Sequence, residues 1–223
     1  MDVATAWCNA NGHTLEGFAG GGAFKDTFKA VAPDGLTVAL KVYRSAKVSE
    51  RSAREISAMQ RCDSPLIASV WGVSSFDHAG HTFLVSTEKF IEGGTLTDRL
   101  RGRLLSRDEL LALGDGLIQG LAHLEAHGLV HRDLKPDNIM LDGQSVDRPI
   151  IVDFGLVRDL SATSLTQTFL LRGPGTPLFS SPEQLNNAKA MIGWTSDQFS
   201  LGVVLVAGLL GRHPFDLKGA GLG

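Results

Sequence analysis

Short runs of alternating apolar and polar residues fill the first part of the chain, and apolar residues at three- and four-residue steps dominate the second. From Leu15 to Tyr43 the pattern predicts strand, glycine-rich loop, strand, turn and strand, with Pro33-Asp34-Gly35 breaking Phe28-Lys29-Ala30-Val31 from Leu36-Thr37-Val38-Ala39-Leu40. Residues 1 to 13 carry no clear pattern and are read as a loose arm or an extra strand. Lys47 to Arg61 sets Val48, Ala53, Ile56 and Met59 at roughly helical spacing, with Glu55 in its middle and Glu50 nearer its start. Strands are expected over Ala68 to Phe76 and Thr82 to Val85, joined by the turn Asp77-His78-Ala79-Gly80-His81.

Helical signals then take over. Ser106-Arg107-Asp108-Glu109 has the form of a capping box, and Leu110, Leu113, Leu117, Leu121 and Leu124 recur on one face until Gly128 ends the helix. Pro149-Ile150-Ile151-Val152 reads as a short buried strand, and the stretch from Asp153 to Glu183 reads as loop. A second, almost wholly apolar helix is expected to run to Leu210. Its apolar run from Phe199 to Gly211 is shorter than the ~18 residues a membrane-spanning helix needs.

Composition narrows the class. The chain has 223 residues, 43% hydrophobic and 20% charged, which suits a compact soluble protein with one good-sized core or two small ones. A net charge of −3, with no long basic run, argues against a nucleic-acid or anionic-membrane partner. Only Cys8 and Cys62 occur, neither in a metal-ligand spacing, so no disulfide framework or zinc site is expected and a reducing, cytoplasmic location is. The N-terminus has no basic region followed by an apolar stretch, which argues against a signal peptide.

The densest chemistry lies in His131-Arg132-Asp133-Leu134-Lys135-Pro136-Asp137-Asn138, followed by Asp153-Phe154-Gly155. Carboxylates, an amide and cations at close spacing are what phosphoryl transfer requires, since that reaction asks a protein mainly to position two oxygens and neutralise phosphate charge. These stretches resemble the catalytic loop and the magnesium-binding DFG triplet of the eukaryotic-like protein kinases. The resemblance implies that Asp133 accepts or orients the proton of the incoming hydroxyl. It implies that Lys135, in the Ser/Thr-kinase position, neutralises the transferring group, and that Asn138 and Asp153 hold magnesium, or manganese in its place.

Other stretches fall into the same family's order. Val38-Ala39-Leu40-Lys41 resembles the strand whose lysine contacts the α- and β-phosphates of ATP, with Glu55 as its implied partner. Gly20-Gly21-Gly22 resembles the start of the glycine-rich phosphate loop, with Gly20 and Gly22 as its first glycines, although Lys25 stands for the third glycine and Thr27 for the usual valine. Glu88 to Leu96 resembles the hinge, implying Glu88 or Thr87 as gatekeeper and main-chain contacts to adenine from Lys89 and Ile91. Thr166 and Thr168 resemble the activation-loop pair of the bacterial members, and Arg132 would hold a phosphate added there. The segment from Gly175 to Gln184 resembles the substrate-docking region and includes Thr176, which favours a protein substrate.

The implied fold is α+β and two-lobed: an arm over 1–13, an ATP-binding lobe over 14–90 with a small antiparallel sheet and one helix, and a mainly helical lobe over 91–223. The resemblance ends near Phe215. The last eight residues cannot build the further helices of that family, so a short or truncated form is expected, with the exposed apolar face covered by a second copy or a partner. Glu183, whose partner in the family lies on one of those helices, would need another, such as Arg212, or would be exposed. The activity expected is ATP-dependent phosphorylation of protein Ser/Thr hydroxyls, with autophosphorylation in the activation loop; the rival expectation is an inert, pseudokinase-like binding module.

Overall fold

A computed structural model describes residues 2–21, 25–43, 59–153 and 178–215. They fall into two compact units, one gathering the described residues of 2–43, 59–63 and 68–90, the other those of 64–67, 91–153 and 178–215. No helix among the described residues is long and apolar enough to cross a membrane.

The first unit opens with helix α1, Val3–Ala10, where a loose arm or a strand was the expectation. Asp2 caps it by accepting the Thr5 N–H at 2.8 Å. Ala4, Trp7 and Cys8 stand on one helical face, and all three are buried. They pack on a five-stranded antiparallel sheet of β1 (Thr14–Gly21), β2 (Lys25–Val31), β3 (Thr37–Tyr43), β4 (Val70–His78) and β5 (His81–Lys89) in the order β1-β2-β3-β5-β4. Strand β4 starts at Val70, two residues later than the apolar pattern indicates, and runs on to His78, while β5 extends past Thr82–Val85 at both ends, because polar residues keep pairing from His81 at the turn to Lys89 beside β3. Ala79 and Gly80, both at positive φ, form the tight turn between them.

Strand β3 lies at the centre and its two faces do different things. Alternation sends Val38, Leu40 and Val42 towards α1, where they join Val85 in the core. The opposite face carries Ala39, Lys41 and Tyr43, paired across to Glu88, Ser86 and Leu84 of β5. The helix expected over Lys47 to Arg61 lies outside the described residues apart from its end, where Met59 and Gln60 are helical and Met59 is buried.

The second unit is built on helix α3, Arg107–Ala126, preceded by the short α2, Leu96–Gly102. Leu113, Leu117, Leu121 and Leu124 of α3 are almost completely buried, as their spacing requires. Gly116 and Gly120 let α3 lie directly on the two-stranded sheet of β6 (Ile139–Leu141) and β7 (Pro149–Ile151). A Cβ at either glycine would come within 2.7 Å of Pro149 or 2.9 Å of Ile151. After the short α4, Pro182–Leu185, comes α5, Trp194–Leu210, whose Val203, Val204 and Ala207 are buried while Val206, Leu209 and Leu210 stay exposed.

Glu109 anchors the start of α3. Its carboxylate accepts the Ser106 N–H at 2.8 Å, Arg99 Nη2 at 2.8 Å and Arg103 Nη2 at 2.7 Å. These donors, the Ser106 N–H foremost, hold its pKa down to about 2 from the ordinary 4.5. A depressed carboxyl pKa stabilises the fold fully above the ordinary value, and that contribution disappears as the pH falls towards about 2. Glu109→Gln should therefore lower the Tm at neutral pH by roughly 2–6 °C. In thermal melts across pH the two curves should converge in acid; curves that stay parallel would show that the carboxylate is not the source.

Candidate active site

The loop from His131 to Asn138 leaves the end of α3 through Gly128-Leu129-Val130 and is held from several sides. Leu134 and Pro136 are buried and tie it to the core. Asp197, in the first turn of α5, accepts the backbone N–H of His131 at 2.7 Å and of Arg132 at 2.8 Å, one on each carboxylate oxygen. Burial pushes the Asp197 carboxyl above the ordinary aspartate range, while His131 and the two N–H donors oppose that push. Arg132 has φ +66°, a left-handed conformation costly for a non-glycine residue, so its backbone depends on such outside anchors. A further anchor is Gln184, whose Nε2 donates to the Arg132 carbonyl at 2.8 Å.

His131 is entirely buried and works as a strut. Its Nε2 lies 2.9 Å from the Val152 carbonyl, and the Asp133 N–H reaches its Nδ1 at 3.3 Å. Both contacts are satisfied together by the tautomer that carries the proton on Nε2. Thr97 on α2 donates its hydroxyl to Asp137 at 3.0 Å and braces the outer side of the loop.

These anchors present Asp133 at the loop's tip. Asn138 Nδ2 donates to the Asp133 carbonyl at 2.7 Å and to its Oδ2 at 3.1 Å, and Lys135 Nζ stands 3.4 Å from the same Oδ2. Committing the Asn138 nitrogen to Asp133 turns its amide oxygen to the other side. The Val152 N–H donates to the Asn138 carbonyl at 3.0 Å, which brings Asp153 to the neighbouring position, half-buried and at φ +64°. An amide oxygen and a carboxylate brought to adjoining backbone positions are of the hard-donor type that magnesium takes, one or two from the protein and the rest from phosphate and water.

A separate polar cluster lies in the first unit on the face of β3 opposite α1. Lys41 Nζ donates to Glu88 Oε2, and both side chains are buried. Register explains the choice of partner: Glu88 is two positions from Ser86, which faces Lys41, whereas Thr87 pairs with Leu40 on the other face. Gly20 pairs with Thr27 near the end of β1, and a Cβ there would meet no atom within 4 Å. Lys25 holds its ammonium 6.0 Å from the centre of the Tyr43 ring. The Lys89 N–H is taken by the Ser69 carbonyl at 3.0 Å. Ile91 is buried in the second unit. Glu55, Gly22, Thr166, Thr168 and Thr176 lie outside the described residues.

Several supporting contacts have no signature in residue spacing. Glu183, expected either to pair with Arg212 or to be exposed, is half-buried and accepts from the Ser196 hydroxyl, which holds its carboxyl below the ordinary range. Ser200 donates to the Phe179 carbonyl at 2.7 Å, and the buried His213 bonds the Leu178 carbonyl at 2.8 Å. Together they fasten the start of the 178–215 segment to α5 and its C-terminal turn.

A family model described as the protein kinase domain matches residues 14–221. The probable serine/threonine-protein kinase PkwA of Thermomonospora curvata is 35% identical over 203 residues, covering 88% of this chain and 26% of that protein. The serine/threonine-protein kinases PknA of Corynebacterium glutamicum are 32% identical over 185 residues, covering 80% of this chain and 38% of theirs. The chain thus spans well under half the length of these relatives. Among solved structures, Rad53 1-466 in complex with AMP-PNP aligns with a TM-score of 0.73 at 23% identity, covering 98% of this chain and 55% of that one, a likeness of fold.

Asp197→Asn would set an amide NH₂ against one of the two loop N–H groups. The variant should lose about 1–3 kcal/mol in urea unfolding. Hydrogen exchange at the His131 and Arg132 amides should accelerate; unchanged stability and exchange would show that the loop does not depend on this carboxylate.

Proposed function

The chain belongs to the protein kinase domain family and has that family's fold, and on that premise we propose that it transfers the γ-phosphoryl group of ATP to serine or threonine hydroxyls of protein substrates. The observation that carries the reading is the clamp on Asp133, whose Oδ2 is held by Asn138 and Lys135 on a loop anchored by Asp197.

In this reading Asp133 receives the proton of the substrate hydroxyl as its oxygen bonds to the γ-phosphorus and the bond to the β-phosphate oxygen breaks, releasing ADP. Lys135, beside Asp133, offsets negative charge on the moving phosphoryl group. Asn138 Oδ1 and the Asp153 carboxylate would hold magnesium or manganese, which when bound neutralises phosphate charge. Lys41 contacts the α- and β-phosphates, Gly20 and Gly22 admit phosphate oxygens close to the backbone, and Lys89 and Ile91 offer main-chain groups to the adenine. Glu55 is a further counter-ion for Lys41.

Arg132 would pair phosphate placed on Thr166 or Thr168 by autophosphorylation, and Thr176 belongs to the surface that docks the substrate. The functional halves are residues 14–90 and 91–223. The exposed Val206, Leu209, Leu210 and Phe215 support a partner or second copy over that face. Cys8 and Cys62, both buried as free thiols and pushed up in pKa by burial, suit a cytoplasmic setting.

Incubation with labelled ATP, magnesium and a generic protein substrate tests the reading. Asp133→Asn should lower the phosphorylation rate roughly 10²–10⁴-fold while ATP still binds. Lys41→Met should abolish labelling, and label in the wild type should map between Ser161 and Thr176. An unlabelled wild type, or an Asp133→Asn protein as fast as wild type, would overturn it.

A further inference from the structure

The first unit buries an ion pair that a phosphate-binding role for Lys41 does not call for. Lys41 is 5% exposed and Glu88 2%, and the Lys41 ammonium donates to Glu88 Oε2. The pairing is built into the sheet. Lys41 faces Ser86 and Ala39 faces Glu88 across β3 and β5, so the two charged side chains share a face, with apolar Ala39 of β3 and Val70 of β4 opposite Glu88 on its two sides. The carboxylate is fixed from its other side as well: Ser86 Oγ donates to Oε1 at 3.1 Å, and the Tyr43 hydroxyl lies 3.4 Å from Ser86 Oγ. Glu88 therefore cannot turn away from Lys41 without giving up contacts at both of its oxygens inside a buried site.

A phosphate oxygen that reaches Lys41 is a second anion at the same ammonium. We propose that Glu88 is a specificity-determining residue of the nucleotide site, an internal anion that competes with phosphate for Lys41. The proposal rests on the reading of Lys41 as the phosphate lysine. An ammonium has three N–H donors, so Glu88 does not close the site. Its negative charge instead acts against each phosphate charge brought near and penalises a triphosphate far more than an uncharged nucleoside.

Calorimetric titration of the whole chain with ATP and with adenosine, at fixed magnesium, tests this. Glu88→Gln keeps the shape and removes the charge: its amide oxygen can still accept from Lys41, and its NH₂ can donate to Ser86 Oγ once that hydroxyl turns to accept. Its Kd for ATP should fall roughly fivefold or more while its Kd for adenosine stays within about twofold. Glu88→Asp, which keeps the charge, should retain a ratio of the two constants close to that of wild type. Comparing two ligands on one protein separates the charge effect from any loss of folded material, which lowers the stoichiometry for both alike. A Glu88→Gln ratio equal to wild type, or weaker ATP binding, would overturn the competition. Lys41→Met separates the two layers: if it weakens ATP while Glu88→Gln fails to tighten it, only the role of Glu88 falls. If Lys41→Met leaves ATP binding unchanged, the phosphate role of Lys41 falls too.

Discussion

The second unit depends on one buried carboxylate. Asp197 sits in the first turn of α5 and takes the backbone N–H groups of His131 and Arg132, residues more than sixty positions earlier. Those amides belong to a loop that makes no regular ladder, and one of its residues sits at positive φ. Without an acceptor they would be buried and unsatisfied, at a cost of about 1–3 kcal/mol each. By meeting that need from a helix packed into the core, the fold gives an irregular loop the backbone partners that a regular element finds within itself.

Rigidity then passes outward in steps. The fixed backbone at His131 sets the imidazole between Val152 and Asp133, and the turn that follows delivers Asn138 against Asp133. Each contact restricts the next side chain, so Asp133 and the Asn138 amide oxygen are oriented before any ligand arrives. Preorganisation of this kind suits phosphoryl transfer, in which positioning and charge account for most of the catalysis.

The first unit uses β3 in a comparable way, as a partition. One face, with Val38, Leu40 and Val42, is sealed by α1; the other carries Lys41 and its buried partner Glu88. Helix α1 was legible in principle, since Asp2 is a cap residue and Ala4, Trp7 and Cys8 have helical spacing. Eight residues of modest propensity fall below the length at which an isolated helix holds itself, so packing on the sheet decides its state.

Local chemistry was enough to foretell much of this chain. The leucine face of α3 with its capping box, the hairpin strands, and the run from His131 to Asn138 are written in neighbouring residues, and periodicity and motif read neighbours well. Tertiary structure decided what joins distant residues. Ser196 for Glu183, Gln184 for the Arg132 carbonyl, Thr97 for Asp137 and Glu88 for Lys41 are pairings across 13 to 52 positions. No spacing rule reaches that far, because each depends on strand register or on how one helix packs against a loop. The family likeness could place Glu88 near the hinge; only the pairing of β3 with β5 turned its carboxylate towards Lys41.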